Sequence, residues 1–492
     1  MKVSSDKDRD EQGVSMSKKF NNINLDGEIL KAVESLGFKE LTEIQEKVGP
    51  LAMAGENILG SSSTGSGKTL AFLMPIMERT SWEESHASTL ILAPSRELAL
   101  QIKNEYDTLG RYKKLSCVAV FGKQPFQDQI KAMKNRHQAI SGTPGRVLDH
   151  IKRGTIDVTA IKHLIIDEVD ELLDRGFTDE VMEIVRSLRN VQQTMMFSAT
   201  ITESVRELAL KITPDFKIIE AAKDEELNIE ELHYQVDPKD KWKALLSLIY
   251  GRKPQGMIIF VNTKDECDRL QNRLSEANID ALKIHGGMMQ EDRLKAMERF
   301  KNKEIPYLVA TDVASRGIDV SDLDISLSYD FPVEKESYVH RKGRTGRNFK
   351  EGLAVYFITE YDARKVSEVE HYIGHAIGEL KTVDYGPYKT GKDAFREFQK
   401  GLRKTKHEKK VTHKDITKIY INGGKKKKIR PIDIVGTLNS IEGILPEDIG
   451  IIQVLDQGSY IDIMNGKGDL ALEGLSVRKV KGKTLRVEKA KK

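Results

Sequence analysis

Apolar residues along the chain gather into short, nearly unbroken runs, each followed by a polar or glycine-bearing loop and then by a stretch with helical spacing. The first group is ENILG (Glu56–Gly60), TLILA (Thr89–Ala93), HLIID (His163–Asp167) and TMMF (Thr194–Phe197). The second is MIIFV (Met257–Val261), YLVA (Tyr307–Ala310), ISLSY (Ile325–Tyr329) and LAVYFI (Leu353–Ile358). Runs this short and uniformly apolar, alternating with helices, predict parallel strands covered on both faces in doubly wound α/β domains. A polar stretch, Ala221–Glu231, separates the two groups and reads as a linker between domains at 20–220 and 232–376. A second break, 377–416, reads as a linker that becomes basic, and residues 1–19, without apolar periodicity, as a disordered tail. Within 417–492, IDIVGTL, GIIQVLD, SYIDIM and TLRVEKA read as strands, with PEDIG and KGDLALEGL helical. That is a small α+β unit of ferredoxin-like order, the plan of RNA-recognition folds.

Composition narrows the class. No apolar run approaches the ~20 residues of a membrane span, and no signal-peptide core follows the polar N-terminus, so a cytoplasmic protein is expected. Two cysteines, Cys117 and Cys267, leave no room for a disulfide framework or a cysteine-held zinc as organising principle. The net charge of +4 hides an uneven distribution: Gly401–Arg430 carries +10 and Ser476–Lys492 carries +7, leaving −13 for the rest. An acidic body with a basic end points to a polyanionic partner.

Candidate chemistry sits where the predicted strands end, the place at which open α/β sheets bind ligands. After ENILG comes SSSTGSGKT (Ser61–Thr69), then a helix. The segment resembles a phosphate loop, in which backbone N–H groups of Ser63, Thr64, Gly65, Ser66 and Gly67 and the helix N-terminus cradle phosphates. Lys68 is then placed to reach the β- and γ-phosphates and Thr69 to hold Mg²⁺, with Ser62 where the general pattern has glycine. The HLIID strand delivers Asp167 to complete Mg²⁺ coordination, and Glu168 follows it as the residue that orients and activates water. Phosphoryl transfer also needs cations against the charge developing on the γ-phosphate. In YVHRKGRTGR (Tyr338–Arg347), Arg344 and Arg347 stand three apart and can share a helical face. Since they lie in the other α/β domain, catalysis would require the two domains to close on one another.

Taken in order from Phe20 to Ala376, these elements resemble the DEAD-box RNA helicases, which implies ATP as cofactor, RNA as partner and two tandem RecA-like domains. GFKELTEIQ (Gly37–Gln45), with Phe20 upstream, is similar to the adenine-reading motif. Gln45 would hydrogen-bond adenine and Phe20 would stack on it, although Leu41 and Glu43 replace the usual prolines. The box reads DEVD (Asp167–Asp170), with Val169 for the family's alanine. SAT (Ser198–Thr200) and His340 resemble elements coupling ATP state to RNA. ATDVASRGIDV (Ala310–Val320) resembles the segment touching both ligands, through Thr311 to RNA and Asp319 to nucleotide. RNA-facing positions implied by resemblance are Pro94 and Arg96 in PSRELA, Thr143, Gly145 and Arg146 in TPGR, and Arg293 in QEDR. Gly122 belongs to FGK, where Lys123 replaces the second of the family's paired glycines.

The 417–492 unit resembles the RNA-binding domain of DbpA-type helicases, which implies an RRM-like fold that recognises a structured hairpin of large-subunit ribosomal RNA during ribosome assembly. Asp433 falls near the position of an expected stacking aromatic, with Tyr460 the main aromatic on the other central strand, so base stacking is expected to be minor. The basic residues Lys425, Lys426, Lys427, Lys428, Arg430, Arg478, Lys479, Lys481, Lys483 and Arg486 instead favour phosphate contacts. No coiled coil or other dimerisation device is present in the sequence, so a monomer is expected. Two rivals use the same residues: a passive RNA chaperone that uses ATP only as a conformational ligand, and a DNA helicase.

Overall fold

The computed structural model describes residues 23, 25–38, 40–62, 66–221, 229–312, 323–346, 352–408 and 416–490, the side chains of 402–408 excepted. The first lobe is built on a seven-stranded sheet. Its strands are β1 (Ile58–Ser61), β2 (Thr89–Leu92), β3 (Cys117–Val120), β4 (Ala139–Gly142), β5 (His163–Ile166), β6 (Gln193–Ser198) and β7 (Lys217–Glu220). They run parallel in the order β3-β4-β2-β5-β6-β1-β7. Alternate residues supply opposite faces: Ile58, Ile91, Ile165 and Phe197 pack into one helix-covered core, and Leu59, Leu90, Ile166 and Met196 into the other. This double burial explains the uniformly apolar runs. β6 lies between β1 and β5, so the loops after these three strands open side by side.

The second lobe repeats the plan with β8 (Ile229–Gln235), β9 (Met257–Val261), β10 (Ala281–Ile284), β11 (Tyr307–Thr311), β12 (Ile325–Ser328), β13 (Gly352–Ile358) and β14 (Leu380–Thr382). These are parallel in the order β10-β11-β9-β12-β13-β8-β14. Both expected linkers need correcting. Ile229–Glu231, the end of the first, is the start of β8, where Lys342 binds Glu231. Most of the second belongs to the lobe: β14 pairs with β8, and helices Gly386–Thr390 and Lys392–Glu408 follow. Phe395 is 2% exposed, and Tyr385, Tyr388 and Phe398 pack on the same core. A high density of charge masked these aromatics in the sequence.

The C-terminal domain has β15 (Thr417–Ile421), β16 (Ile449–Val454), β17 (Ser459–Ile463) and β18 (Val487–Lys489), antiparallel in the order β16-β17-β15-β18. The β-α-β-β-α-β order holds, but with a different first strand. IDIVGTL is not a strand; it lies in the helix Pro431–Asn439, and the strand before it is TKIYI. Pro431 at the first helical position and Asp433, whose carboxylate accepts from the Arg430 amide at 2.8 Å, form the helix start. PEDIG contributes only a 3₁₀ turn, Pro446–Asp448. Among the described residues no helix is long and apolar enough to cross a membrane.

Candidate nucleotide and RNA site

Lobe 1 gathers Gln45, Gly67, Lys68, Thr69, Asp167, Glu168 and Ser198 around the ends of β1, β5 and β6. Gly67, at φ +92°, turns the chain into the helix Lys68–Arg79. A Cβ there would meet Gln45 Nε2 at 2.3 Å in a backbone region hostile to L side chains. Gln45 donates to the Gly67 carbonyl at 3.1 Å and accepts from the Thr42 amide at 3.0 Å. The residue expected to read adenine is thus tied to the phosphate loop. Ser62, which replaces the pattern's glycine, shares a 2.5 Å hydroxyl contact with Ser66. Lys68 is 8% exposed, with Nζ 3.4 Å from the Ser198 carbonyl, and Thr69 follows it in the first helical turn.

Asp167 is buried, and burial pushes its carboxyl up to about 6 against the pull of Lys68 and of the Glu168 amide, which donates to it at 3.0 Å. Glu168 has a left-handed backbone, φ +50°, a conformation that costs about 1–2 kcal/mol for a non-glycine residue. Burial, then the charges of Glu171 and Asp167, raise its carboxyl too, and Oε2 is buried without a hydrogen-bond partner. The buried Asp167 carboxylate and the Thr69 hydroxyl are hard oxygen donors of the kind that suit Mg²⁺.

The box and SAT are joined directly. Asp170 Oδ2 accepts from the Ala199 amide at 3.0 Å, Ser61 Oγ donates to the Ala199 carbonyl at 3.2 Å, and Ser198 Oγ donates to the Thr200 carbonyl at 2.7 Å. Val169 is fully buried with Ile166 and Leu172, so its extra methyl groups are absorbed by the core.

The RNA-facing candidates of lobe 1 also converge. Pro94 is buried, Arg96 opens the next helix, and a Cβ at Gly122 would lie 3.4 Å from the Arg96 guanidinium. Lys123 is exposed at φ +62°, the region its missing glycine would occupy without strain. Thr143 precedes the helix Pro144–Lys152, which carries Gly145, with open space above it, and Arg146. Arg146 donates to the Gln124 carbonyl at 3.1 Å.

In lobe 2, Thr311 ends β11, Arg293 lies in the helix Gln290–Lys301 and His340 in the last turn of Lys335–Lys342. Arg344 does not share that helical face: the helix stops at Lys342, and Arg344, 6% exposed, lies in the following turn, its amide donating to the Arg341 carbonyl. Phe20, Ser63, Thr64, Gly65, Asp319 and Arg347 lie outside the described residues.

In the C-terminal domain, Lys425, Lys426, Lys428, Arg430 and Lys479 are exposed. Two basic loops are stitched together, Lys481 Nζ donating to the Lys428 carbonyl at 2.8 Å and Lys483 Nζ to that of Lys427 at 2.6 Å. Arg478 helps line an adjoining groove of about 480 Å³. Tyr460 lies on a central strand as expected, but the placement of Asp433 near a stacking position is overturned. Asp433 is on a helix, while Tyr420 and Tyr460 are register partners on the central strands, their ring centroids 5.2 Å apart. They alternate with buried isoleucines and so face away from the helix-covered core. A Cβ at Gly458 would meet the Tyr420 ring at 2.4 Å, so that ring lies across the glycine.

Residues 42–208 match the DEAD/DEAH box helicase domain, 240–349 the helicase conserved C-terminal domain and 418–489 the DbpA RNA binding domain. The chain is 41% identical over 476 residues to the ATP-dependent RNA helicase DbpA of Bacillus subtilis (strain 168), covering 96% of this chain and 99% of that one. The chain belongs to the DEAD-box ATP-dependent RNA helicases. This helicase is also 39% identical over 342 residues to CshA of Listeria monocytogenes, 69% of this chain and 66% of that one. Its fold is similar to Dbp5 of S. cerevisiae bound to RNA and ADP BeF3, with a TM-score of 0.68 and 28% identity over 77% of this chain and 99% of that one. A comparable likeness, TM-score 0.67 and 28% identity over 75% and 80%, holds for Mss116p bound to ssRNA and AMP-PNP.

Membership makes this helicase an RNA-directed ATPase with an RNA-binding C-terminal domain, which sets aside both rival readings. One buried motif residue escaped the reading of the sequence. Arg341, 1% exposed, makes two bonds to Asp312 (2.7 and 2.6 Å) and reaches Ser328, Asn262 and the Asp330 carbonyl. Its presence in HRKGR was visible, but the distant Asp312 that fixes its role was not.

Proposed function

We propose that this helicase separates short RNA duplexes locally and non-processively, with ATP binding closing its two lobes on one RNA strand. The reading rests on one observation: the phosphate-loop and box residues are assembled on one parallel sheet, while Arg344 is carried by another. In the closed state Gln45 and Phe20 hold the base, the backbone of Ser63–Gly67 and Lys68 hold the phosphates, and Asp319 contacts the nucleotide. Thr69 and Asp167 hold Mg²⁺, which when bound supplies charge neutralisation at the phosphates. Glu168 orients the attacking water and accepts its proton, and Arg344 and Arg347 stabilise the charge developing on the γ-phosphate. Ser198, Thr200 and His340 couple that state to RNA held by Pro94, Arg96, Gly122, Thr143, Gly145, Arg146, Arg293 and Thr311.

The basic loops of the C-terminal domain bind a structured hairpin of large-subunit ribosomal RNA and place the core on neighbouring helices during ribosome assembly in the cytoplasm, the protein acting as a monomer. The full chain carrying Glu168→Gln should bind ATP and RNA but lose turnover; wild-type turnover in that variant overturns the catalytic assignment. Alanine at Arg344 and Arg347 should cost about 10³–10⁵ in rate at saturating RNA. Deleting 417–492 should abolish the preference of RNA-stimulated ATPase for ribosomal over unrelated RNA; a retained preference refutes the tethering role.

A further inference from the structure

Two RNA-facing stretches of lobe 1 meet at a side chain that none of the motifs contains. Gln129, in the helix Phe126–Met133, is 3% exposed. Its amide nitrogen donates to the Phe121 carbonyl at 2.7 Å and to Gln124 Oε1 at 3.3 Å, holding the loop that carries Gly122 and Lys123. With the nitrogen so engaged, Oε1 can only accept, and it does so from Arg146 Nη1 at 3.3 Å and from His150 Nε2 at 3.1 Å. An acceptor at Oε1 pairs with a proton on His150 Nε2, while the Thr155 hydroxyl donates to the His150 carbonyl at 2.9 Å and lies 2.8 Å from Nδ1. His150 is itself fully buried and stacks on Phe126 with centroids 4.1 Å apart, while Arg153 covers that ring at 4.4 Å. The nitrogen and the oxygen of the Gln129 amide each have two partners, so the whole group is engaged.

We propose that Gln129 is a positioning residue that locks the Phe121–Gln124 loop to Arg146, so that both edges of the lobe 1 RNA track present themselves to a phosphate backbone as one body. The proposal rests on the assignment of Arg146 to RNA. Both bonds that hold Arg146 to this network pass through Nη1, which orients the remainder of its guanidinium. Arg146 Nε also lies 3.8 Å from Asp149 Oδ2 and its guanidinium 5.6 Å from the Phe126 ring, so losing the glutamine bond loosens Arg146 in part, and RNA binding must then supply that ordering entropy.

The test is RNA-stimulated ATPase of the full chain carrying Gln129→Met, Arg146→Ala, or both, with thermal unfolding alongside. Gln129→Met should raise the RNA concentration for half-maximal stimulation about tenfold, with kcat at saturating RNA and KM for ATP unchanged. The double variant should be no worse than Arg146→Ala, because the glutamine acts through that arginine. An unchanged half-saturating concentration together with a lowered Tm means a merely structural glutamine and overturns the proposal, as do additive effects in the double variant. If Arg146→Ala alone leaves RNA half-saturation unchanged, the RNA assignment fails instead, and the two failures are distinguishable. Should Gln129→Met not fold, Gln129→Glu replaces it: the carboxylate keeps Arg146 and His150 but repels the Phe121 carbonyl. Half-saturation should still rise with kcat retained, and no rise overturns the proposal.

Discussion

Replacing Arg341 by methionine isolates what a buried guanidinium contributes to lobe 2. The side chain is 1% exposed and sits 5.0 Å over the Phe260 ring. Its bonds run to both Asp312 oxygens, Ser328 Oγ, Asn262 Oδ1 and the Asp330 carbonyl, at 2.6–3.1 Å. Five charge-assisted bonds at about 1.5–3 kcal/mol each would sum to roughly 7–15 kcal/mol, but water limits the loss. The Asp312 side chain is already 20% exposed, so it can rehydrate once abandoned. The expected cost is therefore that of breaking one buried pair, about 3–5 kcal/mol. At about 2 kcal/mol per molar urea, this lowers the unfolding midpoint of lobe 2 by roughly 2 M. Of the chain's two tryptophans, Trp242 lies in lobe 2 beside Arg273, so its fluorescence in a Trp82→Phe background follows that lobe alone. Asp312→Leu added to Arg341→Met should recover much of the loss, since removing both partners leaves no stranded charge. A midpoint shift below roughly 0.5 M would refute this account of Arg341.

Lys123→Gly should relieve the left-handed backbone and raise the lobe 1 Tm by roughly 2–4 °C. It should also reduce the log–log salt slope of RNA binding by about 0.7–0.9 if the ammonium neutralises one phosphate. Burial, aided by neighbouring arginines, lowers both His150 and His163 to about 4. The unfolded chain therefore protonates first, and this stability is complete above about pH 6.5 and lost as pH falls towards 4. Urea titrations from pH 7 to 4 should show that slope, and His150→Gln with His163→Gln should flatten it. Alanine at both Tyr420 and Tyr460 should weaken binding of hairpin RNA bearing unpaired nucleotides by tenfold or more, from about 1–3 kcal/mol per stacked base. Unchanged affinity in gel-shift titration would show that the open face of that sheet is not used.

Strands buried on both faces were legible as apolar runs, because no solvent-facing residue breaks them. β4, with Ser141 and Gly142, and β7, half exposed at a sheet edge, have no such signature. IDIVGTL misled through its branched residues, although the buried pair Ile434 and Leu438 has helical spacing. The chemistry divides similarly. Lys68, Thr69, Asp167 and Glu168 follow strands directly, so local sequence locates them. Arg341 with Asp312, and Gln129 with Phe121, Arg146 and His150, are set by tertiary packing that no local window contains.

The annexation of β14 and two helices by lobe 2 shortens the segment left between that lobe and the C-terminal domain. Forty residues at 377–416 would have allowed a leash of about 130–140 Å at full stretch. With Lys392–Glu408 helical and the C-terminal domain described from Ile416, only seven residues separate the two elements.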